Sequence, residues 1–303
     1  MTDGLAMKLL PGWVASLHNQ DTENAAFSSG AALAFLDRAV CRSGGAVPAL
    51  LLRDRLALKA AAACLKIEGR GEGEADIRDA ICLTRAGDAT GPAGDMFLRW
   101  RKLTRINLRS SGWAGLLARL VPEHLTEALA EFDLVAGRQG SPAAQAGDVL
   151  AQILNQFPRE EATALMLAEV VLARAIGWAH PVPLLAAHLR RRDLRAISSG
   201  VGDPVYAVHL ATIAASDVTI RMAADLTRRA VALRAVAPRL RSKGAAEALS
   251  LFLSLDAVSP SGVRTAQINA MTDRSARRFC DRLVDLGAVR ELTGRPTFRL
   301  YGL

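Results

Sequence analysis

At 303 residues the chain is long enough to bury a large core, either as one big domain or as two ordinary ones. Half of its residues are apolar but only 5% are aromatic, so the hydrophobic content is chiefly Ala, Leu and Val, which favours helices over sheets. The net charge of +8 is uneven: residues 239–303 carry 11 Lys and Arg against 6 Asp and Glu, whereas the first 238 carry 27 against 24. Positive charge gathered in one segment is the footprint of a nucleic-acid or acidic-surface binder.

Residues 1–24 read as an irregular lead-in with a turn at Pro11-Gly12. Helical spacing begins near Ala25, where Phe27, Ala31, Leu33, Phe35 and Leu36 offer one buried stripe, and Ser43-Gly44-Gly45 breaks it. Further helices are predicted over 49–67, 74–85 and 95–108, separated by glycine-rich breaks at 68–71 and 86–94. Others cover about 112–120, 123–135, 141–156 and 160–178, with Pro158 just ahead of the last. His180-Pro181-Val182-Pro183 is an extended break, followed by a short helix to about Arg192. A long helix opens at Pro204 and runs to about Val236, where Pro238 stops it, and nothing alternates as a strand before residue 288.

The last stretch carries the densest local signals. Ala245 to Leu255 is apolar at helical spacing, and Ser259-Pro260-Ser261-Gly262 ends it. A short helix is predicted over 264–270, then a tight turn at Met271-Thr272, where Thr272 or Asp273 caps the next helix. That helix runs to about Leu286 and stops at Gly287. Segments 288–293 and 297–301 suit strands around Gly294-Arg295-Pro296. Helix, helix-turn-helix and hairpin in this order are the winged-helix arrangement. On the third helix Ala276, Phe279, Cys280, Leu283 and Leu286 share one face, and Arg274, Arg277, Arg278 and Arg282 lie around the other. Guanidinium groups there suit phosphates or guanine edges in a major groove, with Arg295 at the hairpin tip within reach of an adjoining phosphate. Against this, Arg277–Asp281 and Arg282–Asp285 have the spacing of ordinary surface ion pairs.

Other constellations carry less. Cys41, Cys64, Cys82 and Cys280 are far apart with no C-x-x-C spacing, which speaks against a zinc site or a disulfide framework and for thiols in a reducing cytosol. His180, His188 and His209 lack ligand spacing, so no metal or cofactor is expected. The loop Gly87 to Gly94 is glycine-rich, yet no strand precedes it and no Lys-Ser or Lys-Thr follows, so it reads as a helix connection. Asp76 and Asp79 beside Arg78 read as a solvated helix face. No Gly-x-Ser-x-Gly elbow occurs, leaving catalysis without a motif. The apolar run Ala162 to Trp178 is interrupted by Glu169 and Arg174 and falls short of the roughly 20 residues a membrane span requires. Residues 1–11 make a poor signal peptide, and a cytoplasmic location is expected.

Several segments match a known family pattern. Leu286-Gly-Ala-Val-Arg-Glu-Leu-Thr-Gly-Arg295 followed by Thr297-Phe-Arg-Leu-Tyr-Gly-Leu303 resembles the close of the alphaproteobacterial family called domain of unknown function 1403. Arg55-Leu-Ala-Leu58, Ile77-Arg-Asp-Ala80, Gly91-Pro-Ala-Gly94, Pro181-Val-Pro-Leu-Leu185 and Leu240-Arg-Ser-Lys-Gly-Ala245 resemble it too, so the likeness spans about residues 27–303 and implies no stated activity. The Gly287-to-Arg295 hairpin is also similar to the winged-helix tail of Fic-type proteins. That motif requires a Gly-Asn-Gly loop after its His-Pro-Phe, and Val182 to Leu189 after His180-Pro181 hold neither glycine nor acid.

The expected architecture is therefore mainly α: an irregular segment 1–24, an all-helical body 25–238 and a basic winged helix-turn-helix unit 239–303. The expected function is non-catalytic binding of double-stranded DNA through Arg274, Arg277, Arg278, Arg282 and Arg295, with no cofactor and no membrane. The alternative is a protein-interaction scaffold that docks a partner protein or a second copy of itself.

Overall fold

The computed structural model describes residues 9–16, 21–85, 87–126, 140–240, 244–265 and 271–303. Most of the predicted helix at 123–135, the second half of the one at 264–270, and Arg241 and Lys243 fall outside these. The chain is mainly α-helical, with one two-stranded antiparallel pair near its C-terminal end.

A short turn of helix, α1 (Gly12–Ala15), leads to α2 (Thr22–Leu36), which the side chain of Asp21 caps through the N–H of Asn24. The buried face of α2 is Ala25, Ser28, Ser29, Ala32, Leu33 and Leu36, rotated from the predicted stripe. Phe27 instead lies 67% exposed and stacks on Trp13, ring centres 5.9 Å apart. Small residues win the inner face because α2 packs closely on the long helix behind it. The chain leaves α2 through a π-helical turn, Asp37–Cys41, in which the N–H of Arg42 reaches back five residues to the Asp37 carbonyl.

Next come α3 (Ala49–Ile67), α4 (Glu74–Cys82), α5 (Gly91–Arg105) and α6 (Trp113–Ala118), with α3 packed along α5. Thr90 and Asp95, bonded at 2.6 Å, close the turn into α5, so the glycine-rich stretch joins two helices, with Gly91 to Gly94 forming the first turn of α5. Then α7 (Pro142–Gln156), capped by Ser141, packs against α8 (Glu161–Ile176). Every residue of α8 from Ala162 to Ala173 is buried, which explains why its sequence shows no polar face. The 33-residue α10 (Pro204–Val236) opens with Asp203 accepting the N–H groups of Val205 and Tyr206, and it packs on both α2 and α7. A side chain at Gly147 of α7 would meet the backbone of Pro204 and Val205 at 3.1 Å, so glycine permits that close crossing.

Between these two lies the segment where sequence expectation and structure differ most. The helix expected to end near Arg192 instead begins there, as α9 (Arg191–Ser198). The reason is Glu169 in the middle of α8. Its Oε1 accepts the N–H groups of Leu184, Leu185 and Ala186 at 2.7, 2.6 and 3.4 Å. A side chain takes those three donors, the chain then makes only a turn at residues 186–188, and the helix starts where Asp193 accepts the N–H of Arg190.

Three short helices follow α10: α11 (Ala245–Phe252), α12 (Pro260–Thr265) and α13 (Asp273–Asp285). The strands β1 (Arg290–Glu291) and β2 (Tyr301–Gly302) pair antiparallel, shorter than the sequence suggests, and Val258 forms an antiparallel bridge to the outer side of Tyr301. Phe252, Val263, Phe279, Leu283 and Tyr301 join one apolar core with the buried residues of the preceding helices. No helix among the described residues is long and apolar enough to cross a membrane.

Candidate nucleic-acid interface

Helix α13 is built as its sequence predicts. Thr272 Oγ1 accepts the N–H of Ser275 at 3.2 Å, and Ala276, Phe279, Cys280 and Leu283 are buried. Burial pushes the Cys280 thiol up to about 12, so it serves as a small apolar side chain. Arg274, Arg277, Arg278 and Arg282 are all exposed. None of the four forms a salt bridge among the described residues.

The expected helix-surface pairs are not made. Asp281 accepts the Tyr301 hydroxyl at 3.1 Å and lies 3.9 Å from Arg299, on the side of the strand pair. Burial, and then the contact with Asp281, push that hydroxyl up to about 12. The tyrosine and Arg299 thereby draw Asp281 towards the strand pair.

Arg274, Arg278 and Arg282 recur every four residues and so form one row. With Arg239, which follows α10, they line a groove of about 440 Å³ that also presents the hydroxyls of Thr272 and Ser275 and, among the described residues, has no carboxylate in its wall. Arg277 falls on the other flank, in a separate groove with Asp273, Asp281 and Arg299. Arg295 is drawn elsewhere altogether. Its two terminal nitrogens bind both oxygens of Asp79 on α4, at 2.8 and 2.6 Å. Of the five predicted residues, three are thus together, one is on the opposite flank and one is committed to an ion pair.

Arg239 belongs to the site although it lies 35 residues before Arg274. The concentration of charge after residue 238 was the signal for it. Three arginines of α10 are already paired: Arg221 binds Asp217, and Arg228 and Arg229 both bind Asp225.

The residues that position the groove gave no local signal. Asp54 of α3 takes Arg101 of α5 through two bonds of 2.7 and 3.1 Å, and it also accepts the N–H of Asp256 at 2.9 Å. Asp256 in turn takes Arg55 Nε at 3.0 Å and Arg78 Nε at 2.6 Å. Both carboxylates are 2% exposed. Arg78 and Asp79, expected on a solvated face, instead hold Asp256 and Arg295.

Two histidines also find internal partners. The Ser29 hydroxyl lies 3.0 Å from the Ala26 carbonyl and 2.6 Å from His209 Nδ1, a buried contact whose donor depends on the tautomer of the ring. His180 donates from Nδ1 to the Ile106 carbonyl at 3.0 Å.

No curated protein matches the chain. The family described as "Protein of unknown function (DUF1403)" matches residues 1–303, and the chain belongs to that family along its whole length.

Proposed function

We propose that this protein binds double-stranded DNA through a C-terminal winged helix in which α13 is the recognition helix. Helix α11, the Val258 bridge, α12, α13 and the β1–β2 pair follow one another in winged-helix order. The observation that carries the reading is the groove of Arg239, Arg274, Arg278 and Arg282, four cations with no anion among them. Unneutralised guanidinium groups in a row beside exposed hydroxyls suit successive phosphates. Arg277 on the other flank is free to contact a base edge or a second strand. Arg295 is left out because Asp79 already holds its guanidinium.

Titration of labelled duplex DNA over a range of salt concentrations tests the proposal. Four phosphate contacts give a slope of log K against log salt of about −3.6. Replacing Arg274 and Arg278 together by Ala is expected to reduce the slope by about 2 and to weaken binding to all duplexes alike. Absence of binding at low salt, or an unchanged slope in the double variant, would overturn it.

One observation favours a second reading as an interaction scaffold. Trp13 and Phe27 are 60% and 67% exposed and stacked on each other, a pairing usual at protein interfaces. Sedimentation without DNA, compared with a Trp13→Ser, Phe27→Ser variant, tests for association of a second copy.

A further inference from the structure

A second concavity lies between the helices of the body, away from the row of arginines. It has a volume of about 450 Å³, within the range of small-molecule sites, and its wall includes the π-helical turn after α2, the start of α3 and the segment following α8. Val40, Leu52 and Trp178 give it an apolar side. Arg53 and Arg109 give it a cationic one.

Arg53 is the unusual member. Its Nε is buried without a hydrogen-bond partner, and among the described residues its guanidinium makes no salt bridge. The terminal nitrogens of Arg53 are not among the buried unpaired atoms, so its uncompensated charge is presented to the cavity. The protein has carboxylates at hand but has committed them. Asp54, the next residue on α3, is taken by Arg101 and by the N–H of Asp256. Asp37, across the cavity, holds Arg42 at 2.7 Å and the indole N–H of Trp178 at 3.1 Å. Arg109, at the exposed rim, donates to the Gly177 carbonyl at 2.9 Å and has no carboxylate partner among the described residues. Burial, with Arg105 close by, holds the Arg53 guanidinium below its ordinary range, and burial and Arg53 together hold His180 low. Positive charge in this cavity is therefore in excess, and an incoming anion relieves it.

The π-helical turn adds an independent observation. It replaces the tighter α-helical bond with the longer reach from Arg42 to Asp37, and such turns occur frequently where a side chain must be aimed at a ligand. Here it places Asp37, Val40 and Cys41 in the cavity wall.

We propose that this cavity binds a small organic anion, its carboxylate or phosphate group paired with Arg53 and its apolar body against Val40, Leu52 and Trp178. A guanidinium offers such a group two parallel donors, and Arg109 supplies another at the rim. The site is separate from DNA binding and does not depend on it.

Calorimetric titration with benzoate, phenyl phosphate and inorganic phosphate, on the native chain and on Arg53→Met and Arg109→Met, tests this. Benzoate or phenyl phosphate binds the native chain, inorganic phosphate binds at least about tenfold more weakly, and Arg53→Met loses at least about tenfold in affinity. Arg109→Met shows a smaller loss. Without ligand, Arg53→Met melts no lower than the native chain, because the side chain it removes has no partner to lose. Equal responses of native and Arg53→Met chains to all three anions would overturn the proposal. So would a clear fall in the melting temperature of ligand-free Arg53→Met, which would make Arg53 a structural residue.

Discussion

Glu169→Gln is the substitution whose outcome follows most directly from the structure. Glu169 is 1% exposed, with Oε1 accepting three backbone N–H groups and Oε2 buried without a partner. Burial pushes its carboxyl up to about 8, outweighing the N–H donors of Leu185, Leu184 and Ala186, from 4.5 in the free group. Between those two values the folded chain keeps a proton that the unfolded chain has released. Stability contributed by this group is therefore complete below 4.5 and falls as pH rises, levelling off above 8. At about 1.4 kcal/mol per pH unit, a rise from about pH 5.5 to about 7.5 removes about 3 kcal/mol through this one side chain. For a chain of this length that is about 5 °C in Tm. Glutamine has the same shape, keeps an oxygen for the three N–H groups and cannot ionise. Scanning calorimetry of both chains across this pH range should find them within about 1 kcal/mol at the acid end. The variant should then gain about 3 kcal/mol relative to the native chain by the alkaline end, since every other titrating group is shared. Parallel profiles would refute the reasoning, as they would mean that Glu169 ionises in the fold as it does in the open chain.

Asp256→Ala removes the carboxylate that Arg55 and Arg78 share, leaving Arg78 only Glu74 as an ionic partner, and is expected to cost about 3–5 kcal/mol in thermal or urea unfolding, where a loss below about 1 would contradict the role given to it. Arg295→Ala should leave the salt dependence of DNA binding unchanged, because that guanidinium is already bound to Asp79, whereas Arg278→Ala should lower the slope by about 1. Phe298 has a φ of +53°, uncommon for a bulky residue, and is 72% exposed. Phe298→Gly should therefore raise stability by on the order of 1 kcal/mol in urea unfolding, and a fall would show that the ring is held by contacts that repay the strain.

The long helices were legible because their boundaries are chemical. Asp203-Pro204 opens α10 and Pro238 closes the segment behind it, and Thr272 and Gly287 bracket α13 in the same way. Faces were less legible. Periodicity treats Phe27 as a core residue, but α2 meets a neighbouring helix through Ala and Ser, and the large ring is turned outward. The start of α9 could not be read at all, since it depends on Glu169, 15 residues before the first N–H that it accepts. In the candidate site the row of arginines was visible from helical spacing. The fate of Arg295 was not, because Asp79 lies 216 positions away. Arg53 gave no signal either, for an unpaired guanidinium differs from a paired one only in what surrounds it.

The Asp54–Asp256 junction also governs how such a chain can diversify. Arg55, Arg78 and Arg101 are anchored by two carboxylates, one on α3 and the other between α11 and α12. A different C-terminal unit grafted after residue 240 would arrive without Asp256 and leave two arginines stranded on the acceptor. A graft at that point therefore has to carry a carboxylate at the position of Asp256 to keep both arginines paired.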